Sequence, residues 1–246
     1  MKALLLVAGR GERYSGTSGT DGPKCLAMIG DRLLADFSLR TAANLEVEEV
    51  VLVVGHGGDQ VREALGEDYE GIPLRYAVQE RQKGLVHAMS MGREALDGSD
   101  FWLFLGDEVL VSADHCSMQK TFEAEAALAI CGMVPTRQEE LIRRNYTINF
   151  EPRTREIIHL IEKPEVVYNQ FIGTGNCIFG GDIFHYDEVM PVDPKTGRKE
   201  LAGLIQSALD HGEKILCEDL NAEAYMNVNT YKDFLEVEET LKAVKA

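Results

Sequence analysis

Along the first part of the chain, short apolar runs alternate with segments whose apolar residues recur at helical spacing. The runs at 4–8, 50–54, 74–79 and 101–105 have the length of strands, and the continuous ones are typical of strands buried on both faces of a parallel sheet. Helical spacing falls between them, at residues 31–45, 59–65 and 84–96. This alternation predicts βαβ units with right-handed crossovers, and therefore a doubly wound, mostly parallel α/β sheet. Ligands of such sheets bind outside the carboxyl ends of the strands.

The pattern changes after residue 107. A helix at 117–127 and a strand at 128–134 precede a predicted hairpin of strands 146–150 and 157–162. The remaining predicted elements are a glycine-rich strand at 173–179, helices at 182–189 and 200–210, a strand at 225–230 and a terminal helix at 231–244. We therefore expect one domain over residues 1–246, with an inserted β subregion in its second half.

Composition and charge limit the classes of function. The 246 residues are 45% hydrophobic, which suffices for a sizeable core, and the net charge of −16 argues against broad contact with nucleic acid or an anionic membrane. An anionic ligand would need a local basic pocket against this background. The N-terminus runs into the first strand without a signal-peptide pattern, and no apolar run approaches membrane-spanning length, so we predict a cytoplasmic protein. The five cysteines lack the spacing of a disulfide framework or a zinc site.

A glycine-rich turn follows the first apolar run and is the strongest candidate for chemistry. Gly9 and Gly11 have no side chain to keep a phosphate away, and both tolerate positive φ, so successive backbone N–H groups can point into one concavity. Arg13 and Lys24 would supply positive charge. Two other phosphate loops are excluded, because Tyr14 stands where a dinucleotide fingerprint needs its third glycine and Lys24 is not followed by the Ser or Thr of a P-loop. A glycine turn with surface cations and no ligand is the alternative interpretation.

The same stretch resembles a known family signature. Ala8-Gly9-x-Gly11-x-Arg13, followed by Pro23-Lys24-x-Leu26, is similar to the signature of the sugar-phosphate nucleotidylyltransferases, or NDP-sugar pyrophosphorylases. The resemblance implies a Rossmann-like fold of the GT-A type, in which residues 1–115 mainly bind the nucleotide and residues 116–246 mainly bind the sugar phosphate. It also implies that Ala8, Gly9, Gly11, Arg13 and Lys24 hold the phosphates of an NTP.

Two later strand ends fit the same family. Gln79, Gly84 and Ala88 have the spacing of its base-recognition segment, in which a Gln side chain and a Gly backbone contact the Watson–Crick edge of the nucleobase. A Gln amide donates and accepts side by side, which suits uracil or thymine and favours UTP or dTTP, although a flipped amide would suit another base. Asp107 follows the strand at 101–105, where family members have an Asp that helps to hold Mg²⁺. An Asp after a strand is also a common helix cap.

The predicted acceptor side begins with a three-residue motif in the second half of the chain. Glu162-Lys163-Pro164 matches the family's Glu-Lys-Pro motif, which implies that Glu162 contacts sugar hydroxyls and that Lys163 grips the sugar phosphate. We expect Pro164 to hold Lys163 in extended geometry at the end of a strand, from which the ammonium reaches inward.

Two further segments belong to the predicted sugar site. Thr174, Gly175 and Asn176 lie in a stretch that resembles the family strand lining that site, and a bulged edge strand that needs small residues is the alternative. Tyr146 lies where the family usually has Arg-Tyr-Gly, so the resemblance places it at the substrate. We expect Thr147, in place of that Gly, to crowd the substrate pocket.

The predicted metal site departs from the family pattern. Asn227 stands where the family usually has a second metal-binding Asp. Its amide oxygen can still bind Mg²⁺ together with Asp107, but it brings no charge, so we expect a lower metal affinity unless Glu108 or Glu223 compensates.

These motifs together predict transfer of a nucleoside monophosphate from an NTP to a sugar 1-phosphate, with Mg²⁺ as cofactor. The acceptor phosphate is already ionised at neutral pH, so no general base is required and catalysis depends on positioning and charge. We assign catalytic roles to Arg13, Lys24, Asp107 and Lys163. Two alternatives stay open: an enzyme whose acceptor is a non-hexose phosphate or phosphonate, such as a cytidylyltransferase, and a nucleotide-sugar sensor that has lost catalysis. Assembly as a homo-oligomer also stays open.

Overall fold

The computed structural model describes residues 1–9 and 22–244, and four parallel strands form the centre of its main sheet. These strands are β1 (Lys2–Leu6), β4 (Val50–Val54), β6 (Ile72–Val78) and β7 (Phe101–Leu105), in the spatial order β7-β1-β4-β6. In the centre of the register, Leu5 lies opposite Leu52 on one side and Phe104 on the other. The carboxyl ends of the strands therefore meet at the same edge of the sheet.

Helices cover both faces of these strands, because successive side chains of a strand point to opposite faces. Leu4 and Val51 share a buried cluster with Met89 of helix α3 (Leu85–Leu96). The next residues along the strands, Leu5 and Leu52, belong to a second cluster that includes residues of α1 (Leu34–Asn44) and α2 (Gly58–Leu65). The α/β fold with a mostly parallel central sheet between helices is confirmed.

The second half of the chain extends the sheet with a different strand pattern. Strand β12 (Phe171–Phe179) runs antiparallel both to β7 and to β9 (Ala129–Pro135). Strand β10 (Tyr146–Phe150) pairs antiparallel with β12 at Gly173 and with the edge strand β11 (Ile157–Glu162), while β13 (Ile215–Asp219) runs parallel to β9. The predicted hairpin of β10 and β11 is present with its expected bounds.

Three small strand pairs complete the described β structure. The hairpin of β2 (Met28–Ile29) and β3 (Arg32–Leu33) turns at Gly30, where φ is 63°, so the prediction that a helix begins at residue 31 is wrong by three residues. Strand β5 (Asp68–Tyr69) pairs antiparallel with β6. Strand β8 (Glu108–Val111) pairs antiparallel with β14 (Ala224–Asn227), which places Asn227 opposite Glu108. This last pair brings the end of the chain to the carboxyl end of β7.

Within the described residues, five further α-helices follow β8. They are α4 (His115–Glu125), α5 (Glu139–Arg144), α6 (His185–Val189), α7 (Leu201–Asp210) and α8 (Tyr231–Val244). Within residues 1–9 and 22–244, no helix has the length and apolar composition that a bilayer crossing requires.

Candidate active site

A cleft of about 1330 Å³ opens at the carboxyl ends of the parallel strands. The lining residues that were predicted to bind the nucleotide follow β1, β6 and β7, and those that were predicted to bind the acceptor come from the second half of the chain. Most of the predicted site residues lie on this one lining: Ala8, Gly9, Gln79, Gly84, Asp107, Tyr146, Glu162, Lys163, Gly175 and Asn227.

The remaining predicted site residues are placed differently. Gly11 and Arg13 lie outside the described residues. Lys24 lies beside the cleft with a mostly buried side chain. Thr174 and Asn176 are buried behind the lining, where Thr174 Oγ1 donates to the carbonyl of Gly132 at 3.0 Å.

Lys24 is held where the first and fourth parallel strands end. It begins a 3₁₀ turn, Lys24–Leu26, that follows the extended Pro23. Its ammonium lies 2.7 Å from Oδ2 of Asp107 and also donates to the carbonyl of Val228. With 12% of the Lys24 side chain exposed, the charge has a fixed position next to the cleft.

Asp107 and Asn227 lie side by side. The N–H of Val228 donates to the Asp107 carbonyl at 2.8 Å, so backbone pairing continues one residue beyond the last β8–β14 partners, Glu108 and Asn227. Asn229 Nδ2 donates to Asn227 Oδ1 at 2.8 Å, so this amide oxygen has a hydrogen-bond partner within the chain. The Asp107 side chain is 30% exposed, and both Asp107 and Asn227 line the cleft.

Asp107 and Asn227 offer only two side-chain oxygen ligands. Such a site suits Mg²⁺ better than a metal ion whose ligands all come from the protein. Among the described residues, no group of three or more His, Cys, Asp or Glu side chains is arranged to hold a metal. Mg²⁺ prefers oxygen ligands and commonly uses one or two carboxylates, with phosphates and water completing its shell. The carboxylate of Asp107 and the amide oxygen of Asn227, both on the lining of an open cleft, therefore fit the ion.

A buried carboxylate, Glu108, supports the floor of the cleft. Its Oε2 accepts hydrogen bonds from the Gly175 N–H at 2.8 Å and from Asn176 Nδ2 at 3.0 Å, and its Oε1 accepts from the Tyr225 hydroxyl at 2.8 Å. Burial raises the pKa of Glu108 to about 7, and these donors offset part of that rise. The same network continues from Asn176 Oδ1 to His115 Nε2 at 2.9 Å. Asn176 therefore acts on Glu108 instead of lining the cleft.

The predicted base-recognition segment forms a compact turn. The Gln79 N–H donates to the Val54 carbonyl at 2.8 Å, and Gln79 Nε2 donates to the Gly84 carbonyl at 3.2 Å. Gln79 Nε2 also lies 2.9 Å from His87 Nδ1. Gly84 has φ of 108°, and a Cβ there would lie 3.0 Å from Cβ of Arg198, so both backbone conformation and space require glycine.

The Glu-Lys-Pro segment brings Glu162 and Lys163 to the cleft lining. Glu162 ends β11, and its Oε1 lies 2.9 Å from the Lys163 ammonium. Burial raises the pKa of Glu162, and Lys163 offsets this rise. The prediction that Pro164 keeps Lys163 extended is wrong, because Lys163 has φ of 43°. Its N–H donates to the Asn145 carbonyl at 2.9 Å, which holds the chain in a turn as β11 ends.

Tyr146 and its neighbour Thr147 point to opposite sides of β10. The Tyr146 hydroxyl donates to the Thr174 carbonyl at 2.8 Å, and the ring occupies the space that a side chain at position 173 would need. Thr147 is 2% exposed and its hydroxyl bonds to Asn169 Oδ1 at 2.7 Å, away from the cleft lining. The expected crowding of the pocket by Thr147 is therefore wrong, since strand neighbours face opposite ways.

Among the described residues, the cleft contains four basic side chains besides Lys163 that the sequence motifs did not assign to it. Its described lining has more acidic than basic residues, and the basic ones are Arg143, Arg144, Lys163, Arg198 and Lys232. Arg198 belongs to no motif of the sequence, and its approach to Gly84 is a tertiary feature without a local sequence signal.

Comparisons with known proteins show which family the chain belongs to. The sequence matches the family model described as Nucleotidyl transferase over residues 2–244. It is 30% identical over 187 residues to the UTP–glucose-1-phosphate uridylyltransferase AglF of Haloferax volcanii, a match that covers 75% of this chain and 74% of AglF. It is 27% identical over 222 residues to the low-salt glycan biosynthesis nucleotidyltransferase Agl11 of the same organism, which covers 87% of this chain but 59% of Agl11.

A solved structure of UDP-glucose pyrophosphorylase in complex with UDP-glucose has the same fold. It matches with a TM-score of 0.87 at 19% identity, over 98% of both chains. At this identity the structural likeness establishes the fold, while the family model spans nearly the whole chain and AglF supplies a relative at 30% identity. The chain therefore belongs to the nucleotidyl transferase family, as the motifs of its sequence indicate, and is a nucleotidyltransferase.

Proposed function

We propose that the protein transfers a nucleoside monophosphate from an NTP, with UTP or dTTP favoured, to a sugar 1-phosphate, giving an NDP-sugar and pyrophosphate. The observation that supports this proposal most strongly is the arrangement of two cation–carboxylate pairs around one cleft. Lys24 and Asp107 lie where the nucleotide-side strands end, and Glu162 and Lys163 line the acceptor side. The name of AglF, which specifies UTP and glucose 1-phosphate, agrees with this pairing of substrates.

The reaction joins an oxygen of the acceptor phosphate to the α-phosphorus of the NTP. The bond from that phosphorus to the β-phosphate oxygen breaks in line with the attack, and pyrophosphate leaves with the bonding electrons. The attacking oxygen is already anionic, so the chain's residues act by orienting the two substrates and stabilising charge. Lys163 holds the acceptor phosphate, and Lys24 stabilises charge that develops on the leaving pyrophosphate. We assign Arg13 the same task as Lys24.

Asp107 and Asn227 are the residues that would hold Mg²⁺. Bound there, Mg²⁺ would supply positive charge that offsets part of the negative charge of the phosphates. Asn227 is uncharged, so this chain supplies one negative ligand where the related pattern supplies two, and Lys24 bonds to the same carboxylate that the ion needs. Lys24 must therefore share or exchange Asp107 as the substrate binds.

The buried residues Glu108, Asn176 and Thr174 support the floor of the cleft in the proposed enzyme. Glu108 bonds to the Gly175 N–H and to Tyr225, and so connects strand β12 to β14, the strand that ends in Asn227. Asn176 donates to Glu108 and holds it in place. Thr174 fixes the backbone of β12 in two ways: its hydroxyl donates to the Gly132 carbonyl, and its own carbonyl accepts from the Tyr146 hydroxyl. These residues set the position of the cleft lining without contacting substrate themselves.

Pyrophosphate release tests this proposal. We would incubate the protein and Mg²⁺ with UTP, dTTP, CTP, ATP or GTP, each with a pool of sugar 1-phosphates, and measure released pyrophosphate. Lys163→Ala should abolish release. Lys195→Ala is the matched control, because Lys195 pairs with Glu165 at 2.8 Å much as Lys163 pairs with Glu162, but it does not line the cleft.

The same assay separates the rival acceptors. Release with sugar 1-phosphates, and none with phosphoalcohols or phosphonates, supports the proposal. Release only with a phosphoalcohol or phosphonate would replace the sugar by that acceptor. Binding of a nucleotide sugar without turnover in any combination would contradict the proposal and favour a sensor.

A further inference from the structure

The Gln79 amide has both of its donor hydrogens engaged inside the protein. Its Nε2 lies 3.2 Å from the Gly84 carbonyl oxygen and 2.9 Å from His87 Nδ1. A Gln amide nitrogen has two hydrogens, so these two contacts use its whole donor capacity. Gln79 itself is only 4% exposed, yet it lines the cleft.

The Gly84 carbonyl fixes which end of the amide faces inward. A carbonyl oxygen can only accept, so turning the amide over would bring two acceptor oxygens together where the nitrogen now lies. The amide orientation therefore follows from the chemistry of its neighbour, without relying on a choice between nitrogen and oxygen positions. The same carbonyl also accepts the Ala88 N–H at 3.2 Å, which anchors it to the first turn of α3.

The orientation of the Gln79 amide determines the tautomer of His87. Because Nε2 of Gln79 donates, His87 Nδ1 must accept, and the ring proton of neutral His87 is then on its own Nε2. His87 is the third residue of α3 and stands behind Gln79, off the cleft lining. It therefore acts on a ligand only through the amide that it holds.

The remaining group of the amide is its oxygen. Within residues 1–9 and 22–244, no hydrogen bond to Gln79 Oε1 is formed, and the side chain lies at the cleft. We propose that His87 is a positioning residue that makes Gln79 a pure hydrogen-bond acceptor toward the nucleobase, so that the site selects a base with a protonated ring nitrogen. Uracil, thymine and guanine have that N–H, whereas cytosine and adenine present a ring acceptor at the corresponding position. The inference rests on the proposed function, because it takes the cleft to be the NTP site.

The first test measures equilibrium dissociation constants of UTP, dTTP, GTP, CTP and ATP for the wild-type protein without acceptor. We expect the best-bound NTP to be one with a ring N–H, and UTP to bind at least about tenfold more tightly than CTP, since a buried acceptor left without a donor is costly. Tighter binding of CTP or ATP than of every N–H base would overturn the inference. Because no turnover is needed, failure of the transfer reaction and failure of this inference are distinguishable.

The second test compares His87→Ala with His87→Asn. Asn Oδ1 can take the place of the imidazole Nδ1 as an acceptor, so His87→Asn should keep the ratio of UTP to CTP affinity within about threefold. His87→Ala leaves one amide hydrogen of Gln79 without its acceptor, so Gln79 can also donate to a base that presents a ring acceptor, and the ratio should fall about tenfold. A merely structural role would weaken both nucleotides equally and leave the ratio unchanged, and that result would overturn the inference. Loss of the ratio in a folded His87→Asn variant would overturn it as well, and this variant alone decides the matter if His87→Ala does not fold.

Discussion

The ammonium of Lys24 lies 2.7 Å from Oδ2 of Asp107, although 83 positions separate the two residues in the chain. This contact joins the segment after the glycine-rich turn to the end of the fourth parallel strand. Both partners are more than two-thirds buried, so the pair is less screened than a surface ion pair. The positive charge is thereby held at the edge of the cleft before any ligand arrives, which reduces the reorganisation needed when a phosphate binds.

Removing the Lys24 ammonium should cost transition-state stabilisation. We expect Lys24→Ala to lower kcat/KM by roughly 10²–10³, the effect typical of losing one preorganised donor. Steady-state kinetics of pyrophosphate release measures it. Lys214→Ala is the control, because Lys214 pairs with Glu125 at 2.9 Å away from the cleft and should change kcat/KM by less than about twofold. A Lys24→Ala enzyme with kcat/KM near wild type would rule out the assigned role.

A carboxylate at position 227 should raise the affinity of the site for Mg²⁺. We expect Asn227→Asp to lower the Mg²⁺ concentration at half-maximal activity by roughly tenfold, because added ligand charge strengthens binding of a hard cation. The measurement is a Mg²⁺ titration of activity. Asn221→Asp adds the same charge on an exposed residue off the cleft lining and should leave the titration unchanged. Equal Mg²⁺ dependence in both variants would exclude Asn227 as a ligand.

The buried Glu108 should make stability depend on pH. Burial raises the pKa of this carboxyl from its ordinary value of 4.5 to about 7, so the folded state favours the neutral acid. The stabilising contribution is fully present below pH 4.5 and is lost as pH rises through about 7, an effect of about 3 kcal/mol at most. Glu108→Gln can keep all three hydrogen bonds, since its oxygen accepts from Gly175 and Asn176 and its amide donates to the Tyr225 hydroxyl.

Denaturant unfolding in the absence of metal measures this dependence. The free energy of unfolding of the wild type should fall relative to Glu108→Gln between pH 4.5 and pH 8. Glu123→Gln, at an exposed position, should show no such difference. Parallel pH curves for the wild type and Glu108→Gln would contradict a buried acid with a raised pKa.

Position 84 should accept only glycine. Gly84→Ala places a side chain at φ of 108° and at 3.0 Å from Cβ of Arg198, so we expect a loss of about 1–3 kcal/mol in the free energy of unfolding. Gly66→Ala has a positive φ of 72° but open space around its Cβ, and it separates backbone strain from crowding. Only Gly84→Ala should also weaken UTP binding, because the Gly84 carbonyl fixes Gln79. Equal UTP affinity in both variants would disprove that link.

The local sequence pattern is sufficient to predict the parallel part of the fold. Continuous apolar runs such as Val50–Val54 and Phe101–Leu105 admit no other buried element of that length, and the structure has strands with these bounds. The short hairpin around Gly30 was missed, because two-residue strands leave no periodicity to detect. The geometry of Lys163 was wrong because a tertiary bond to the Asn145 carbonyl overrides the local preference before a proline.

The sequence was sufficient to predict which strand ends form the candidate site, but not which of the predicted residues are buried behind its lining. Gln79, Asp107 and Asn227 were placed by motif and line one cleft. The burial of Thr174 and Asn176 behind that lining depends on how β12 packs against Glu108, which no local pattern encodes. The part played by His87 depends likewise on a side-chain contact with Gln79 across a turn.

The most direct test of the central claim follows the α-phosphate of the nucleotide. The protein would be incubated with Mg²⁺, glucose 1-phosphate and UTP labelled with ³²P at either the α- or the γ-position, and the products separated by chromatography. We predict that the α-label appears in a nucleotide sugar and the γ-label in pyrophosphate, in equal amounts, and that Lys163→Ala forms neither. An α-label that ends in free UMP or UDP, or a γ-label transferred to the sugar, would contradict nucleotidyl transfer.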